Sequence, residues 1–145
     1  MIDHRMNPLY HHNIFPLICQ YICSPKATDL QILQNIIKLE QLSKHHRHII
    51  RNHSWMCFTV TLTDKTLYIS KLYKFLKYDL SFTNISNKNV IQFKNCYALN
   101  LSWCKNITDD GVRKLKKCRI LYLDNANISR ECIDEMRYYG VYVIN

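Results

Sequence analysis

The sequence predicts a mixed α/β fold in two parts: a short right-handed solenoid of parallel strands and helices over residues 57–145, capped by a three-helix head over residues 8–56. Three observations predict it. Segments opening Tyr78-Asp-Leu-Ser, Leu99-Asn-Leu-Ser and Leu121-Tyr-Leu-Asp recur at a spacing of 21 to 22 residues. Each continues into an Asn-Ile pair, at Asn84-Ile85, Asn106-Ile107 and Asn127-Ile128, and then a hydroxyl residue. Upstream, apolar residues follow helical spacing instead. A fixed period of this size marks units that cannot bury their apolar face alone and must stack.

The head reads as three helices. Ile14, Phe15, Ile18, Cys19 and Ile22 follow helical spacing, and Ser24-Pro25-Lys26 breaks the chain. Between Leu30 and Leu42, the apolar positions Leu33, Ile36, Ile37, Leu39 and Leu42 are too many for one narrow stripe. That helix is expected to touch two surfaces. Lys44 to Arg51 forms a basic third helix with Ile49 and Ile50 turned inward, and Trp55 follows where the chain enters the repeats.

In the repeat half, Phe58-Thr-Val-Thr-Leu62 alternates like a strand and Lys65 to Phe75 reads as helical, with Leu67, Leu72 and Phe75 apolar: a degenerate first copy. In the three full copies Ile85, Ile107 and Ile128 plug the turn after each strand. Ser86, Thr108 and Ser129 stand where an N-cap hydroxyl would satisfy free amides. Val90, Val112 and Ile133, then Phe93, Leu115 and Met136, give each helix an i, i+3 apolar pair. Cys96, Cys118 and Tyr139 close the helices, and Leu101, Leu123 and Ile144 fall in the next strands. Leu80, Leu101 and Leu123 are therefore expected side by side. The outward strand positions are Asp79 and Ser81, Asn100 and Ser102, and Tyr122 and Asp124, the expected target-binding residues.

Composition bounds the function. The 145 residues are 48% hydrophobic, enough for a core, and 21% charged, too few for disorder by default. No apolar run approaches the ~18 residues a bilayer span needs. The segment Met1 to Pro8 lacks the apolar stretch of a secretory signal, so a soluble, intracellular chain is expected. Seven cysteines, an odd number, read as reduced packing residues. Zinc on Cys96, Cys104 and Cys118 is the alternative, although none is spaced as a short knuckle. A net charge of +9 raises nucleic-acid binding. The densest basic run, Arg113 to Arg119, nonetheless lies on a repeat helix whose Val112 and Leu115 face inward, as on a solvated helix face.

Catalytic signatures are missing. His45 and His48 share a helical face near His46, His53 and Cys57, without acidic partners. Gly111 and Gly140 are the two glycines, too few for a phosphate-cradling loop. Asp109 and Asp110 are adjacent at a helix start, where they favour the dipole. No catalytic residue, metal or cofactor is expected.

Leu99, Leu101, Cys104, Ile107, Thr108, Asp109 and Cys118 resemble the cysteine-containing subtype of leucine-rich repeats. The stretch Leu42-Ser-Lys-His-His-Arg-His-Ile-Ile-Arg-Asn-His-Ser-Trp55, with Ile18-Cys-Gln-Tyr-Ile22 before it, resembles an F-box. An F-box followed by such repeats, in this Asn-, Ile- and Lys-rich style, is similar to proteins encoded by giant DNA viruses of amoebae. The resemblance implies a non-catalytic substrate receptor of a cullin-RING ubiquitin ligase. Tyr10, Ile14, Phe15, Ile18, Ile36 and Leu39 would meet a Skp-type adaptor and its cullin complex, and the repeats would hold an unknown target protein. The setting implied is the cytoplasm, of the host if the chain is viral. A stand-alone repeat scaffold, with the same apolar residues buried against Phe58 as a cap, is the alternative reading; a basic nucleic-acid binder is a third.

Overall fold

The structure is a computed structural model that describes residues 28–41, 44–56 and 58–145. Thr28 starts helix α1 (Asp29–Glu40): its hydroxyl accepts the Gln31 amide at 3.3 Å while the Gln31 side chain accepts the Thr28 amide at 2.9 Å. That reciprocal box satisfies two donors otherwise left open at the helix start. Helix α2 (Lys44–Asn52) follows, then strand β1 (Ser54–Trp55). Ile32, Ile36, Ile50 and Trp55 are buried in one apolar core with Phe58, and Leu33, Ile37 and Leu39 pack half-buried against it. Helix α1 contacts both α2 and the Val60–Thr61 segment. The Trp55 indole N–H donates to the Ile50 carbonyl at 3.1 Å. Tyr10, Ile14, Phe15 and Ile18, with Leu42 and Cys57, lie outside the described residues.

Beyond the helices the fold is mixed α/β with parallel strands. Strands β2 (Val60–Thr61), β4 (Lys77–Asp79), β5 (Ala98–Asn100), β6 (Ile120–Tyr122) and β7 (Tyr142–Ile144) form one five-stranded sheet in chain order, every pair parallel. β1 pairs separately with β3 (Lys74–Phe75), again in parallel. Tyr78, Leu99, Leu121 and Val143 stand in one row across the sheet. The ladder runs one residue further through Leu80 N–H to Asn100 O, Leu101 N–H to Tyr122 O and Leu123 N–H to Ile144 O, at 2.9, 2.9 and 2.8 Å. Leu80, Leu101 and Leu123 are thus neighbours, each no more than 2% exposed. Identical spacing stacks like on like, and a continuous apolar core results.

Each strand returns through a helical segment: α4 (Asn87–Val90) tightening into a 3-10 turn at Ile91–Phe93, α5 (Asp109–Val112) tightening likewise at Arg113–Leu115, and α6 (Arg130–Tyr138). Val90, Val112 and Ile133, with Phe93, Leu115 and Met136, are buried as the spacing requires. Buried rings run from the head into the sheet, Trp55 to Phe58, Phe75, Tyr78 and Phe93, at successive centroid separations of 6.3, 5.5, 6.2 and 4.8 Å.

The structure corrects four local expectations. The helix expected from Lys65 to Phe75 shrinks to α3 (Ile69–Leu72), because Lys74 and Phe75 extend to pair with Ser54 and Trp55. Of the three hydroxyl residues, Ser129 caps its helix, accepting the Cys132 amide, while Ser86 and Thr108 make no capping bond. Ile128 is only partly buried, unlike Ile85 and Ile107. In the last copy, Ile144 pairs with Tyr122 in the outward row, one residue short of the Leu101–Leu123 row expected for it, while Val143 continues the Leu99–Leu121 row; Tyr139 is 50% exposed. α6 stays α-helical where its counterparts tighten to 3-10, and an α-helix advances less per residue. The extra residue is absorbed at Gly140, whose φ of 82° lies in the left-handed region.

Candidate protein-binding surface

Alternation along the strands sends Asp79, Asn100, Tyr122 and Ile144 outward in one row, each half-buried. A shallow groove of about 370 Å³ crosses this face, lined by Lys77, Asp79, Ala98, Asn100, Ile120 and Tyr122, with Thr59 and Tyr97 at its margin. Two of the predicted residues also serve the backbone. Asp79 accepts the Ser81 amide at 2.9 Å, and Asn100 accepts the Ser102 amide at 3.0 Å, so each shapes the turn after its own strand. Ser102 departs from expectation: it is 8% exposed, its hydroxyl donating to Asp124 Oδ2 at 3.3 Å under the turn. Ser81 is half-buried.

The next residue along each unit was not singled out by pattern. Phe82, Trp103 and Asn125 occupy equivalent places after β4, β5 and β6, and all three have left-handed backbones, with φ of 61°, 63° and 53°. Asparagine tolerates this conformation; bulky side chains pay for it sterically. Phe82 and Trp103 are also 73% and 45% exposed, and their rings stack in parallel with centroids 5.7 Å apart and planes 10° from parallel. The signal available in the sequence was an aromatic in the same turn of two consecutive copies.

Of the expected adaptor-binding residues, Ile36 is fully buried and Leu39 half-buried. Ile36 is therefore a core residue that anchors α1, not a surface contact.

Among the described residues, Cys96, Cys104, Cys118 and Cys132 are buried in the core. Cys96 and Cys118 place their sulfurs 3.1 Å apart between adjacent units, and Cys104 donates to the Leu80 carbonyl at 3.1 Å. Its hydrogen bond with Cys118 and then burial push the Cys96 thiol up, and burial does the same for Cys104 and Cys132. They remain thiols, the unreactive form. Cys104 stands apart from the Cys96–Cys118 pair, and among the described residues no three Cys, His, Asp or Glu side chains gather around one ion site. The basic run is partly neutralised: Arg113 and Lys116 reach Glu135 at 2.8 and 3.0 Å, and Lys116 also sits 3.7 Å above the Tyr139 ring. Among the described residues no helix is long and apolar enough to cross a membrane.

Compared with protein-family models, curated proteins and solved structures, the chain matches none.

Proposed function

We propose that the chain is a protein-recognition module: a short leucine-rich-repeat solenoid that holds a target protein on its strand face and adjoining turns. The observation that carries this reading is the row Asp79, Asn100, Tyr122, set in register above a fully packed core, with the exposed Phe82–Trp103 stack beside it. Interfaces of this kind combine a polar, hydrogen-bonding rim with aromatic anchors. The test is crosslinking with mass spectrometry of the tagged full chain in its native cell. Crosslinks from a protein partner to the strand face support the reading; a tagged chain that crosslinks only through the helical side overturns it.

A more specific reading is favoured by the F-box-like stretch from Leu42 to Trp55. In it the module is a non-catalytic substrate receptor, the head docking on a Skp-type adaptor of a cullin ligase. Ubiquitin transfer then relies on effective concentration and on no residue of this chain. Burial of Ile36 leaves Tyr10, Ile14, Phe15, Ile18 and the half-buried Leu39 to carry the docking. Pull-down of a Skp-type adaptor by the intact chain, lost in Ile18→Asp, supports this; capture of none removes the ligase role and leaves a stand-alone scaffold.

A further inference from the structure

The turn carrying the stacked rings is bracketed by carboxylates. The row of left-handed turn residues reads Phe82, Trp103, Asn125. On one side Asp64, from the preceding unit, is held at Asn84, two residues past Phe82, accepting its backbone amide at 3.1 Å and its side-chain amide at 3.3 Å. On the other side the Trp103 amide donates to the Asp124 carbonyl at 2.9 Å, and Asp124 Oδ2 accepts from Ser102. Asp79 flanks the same turn one row away, through its bond to the Ser81 amide. Among the described residues none of these three carboxylates has an ion-pair partner, in a chain with 20 Lys and Arg against 11 Asp and Glu.

We propose that the Phe82–Trp103 stack is a docking ledge for an arginine side chain of the target protein, with Asp124, beside Trp103, receiving the edge of its guanidinium. This rests on the protein-recognition reading and adds the chemistry of the partner: an exposed, basic, arginine-bearing segment. A planar guanidinium lies flat on an aromatic face while its rim N–H groups donate to carboxylates, which an ammonium does less well. A nucleobase could stack on the same rings. Its phosphates would then meet Asp124, and repulsion disfavours that occupant. Two bulky residues held in left-handed turns are also consistent with display, since strain of this kind collects where a side chain must be presented.

The experiment uses the ¹⁵N-labelled full chain, in which Trp103 is exposed and Trp55, 1% exposed, serves as an internal control. The probe is the capped peptide acetyl-Gly-Arg-Ala-Arg-Gly-amide, titrated while both indole N–H resonances are followed. The Trp103 resonance should move saturably and Trp55 stay still. The lysine version should bind about two- to fivefold more weakly, as should the Asp124→Asn variant. Replacing arginine by neutral citrulline should abolish the shift. An unmoved Trp103, equal binding of the citrulline peptide, or preferential binding of a thymidine oligonucleotide overturns the ledge. Shifts confined to the Asn100 and Tyr122 amides overturn it too, while leaving protein recognition, tested separately by crosslinking, intact.

Discussion

Asn87 and Thr108 hold each other across adjacent units: Asn87 Oδ1 accepts the Thr108 amide at 3.0 Å and Asn87 Nδ2 donates to the Thr108 hydroxyl at 2.7 Å. This clamp accounts for the missing cap at Thr108, whose hydroxyl is spent on the neighbouring unit. It also accounts for Gly111, because a Cβ there would run into Asn87 Oδ1. Asn87→Ala should lower the unfolding free energy by about 1–2 kcal/mol, the loss of two partly exposed hydrogen bonds. Gly111→Ala should destabilise the native background despite alanine's better helix propensity, yet be neutral or stabilising once Asn87 is alanine. A double-mutant cycle by urea denaturation checks this; strictly additive effects would refute the clamp.

Phe82 and Trp103 trade strain against stacking. A left-handed backbone costs a bulky residue about 1–2 kcal/mol, while the ring pair returns about 0.5–1.5 kcal/mol. Trp103→Asn removes both, so stability should change by less than about 1 kcal/mol. Asn125→Val, in the same conformation, should cost about 1–2 kcal/mol. A loss above about 3 kcal/mol in Trp103→Asn would mean the ring acts as core, not as display.

Asp109 predicts an acid response. Its carboxylate accepts the Ser129 hydroxyl at 2.6 Å and the Ser129 amide at 2.9 Å, and these, with Arg113 nearby, hold it below its ordinary value of 3.8. A carboxylate with a lowered folded pKa stabilises fully above its unfolded value and loses that contribution as pH falls through the folded one. Thermal midpoints should therefore drop more steeply below about pH 4 in the native chain than in Asp109→Asn. Glu135, lowered by Arg113 and Lys116, acts in the same window and is present in both proteins, so it cancels from the difference. Parallel pH profiles would contradict the assignment.

Arg137 covers the outer side of β7. Its guanidinium donates to the Val143 carbonyl at 3.3 Å and to the Asn145 side chain at 3.0 Å, and Asp134 pairs with it at 3.5 Å. A charge on a free strand edge discourages pairing with another chain. Arg137→Ala should raise self-association, read as a larger mass in light scattering at high concentration. An unchanged mass would show that the edge needs no such guard.

Much of the sheet was legible because its cause is local and repeated. The 21- to 22-residue spacing of Tyr78, Leu99 and Leu121 carries the register, and the i, i+3 apolar pairs name the buried helix faces. Helix α1 was legible for the same reason, since Leu33, Ile36 and Ile37 follow helical spacing and pack on one core. Period alone did not disclose the ledge: φ at Phe82 and Trp103 is set by how tightly each turn folds back, and nothing in an aromatic residue's identity announces a left-handed backbone. The shift of the last copy escaped as well, because α and 3-10 geometry differ in rise and share a sequence pattern.

The sequence by itself determined which side chains leave water and the order in which strands lie side by side, since the hydrophobic effect acts on a periodicity written along the chain. Tertiary structure decided which polar groups bond across units and which remain open to a partner. Asn87 meets Thr108, and Asp64 meets Asn84, only after separate units have stacked. Distances between residues about twenty positions apart are set by packing, and no local preference encodes them.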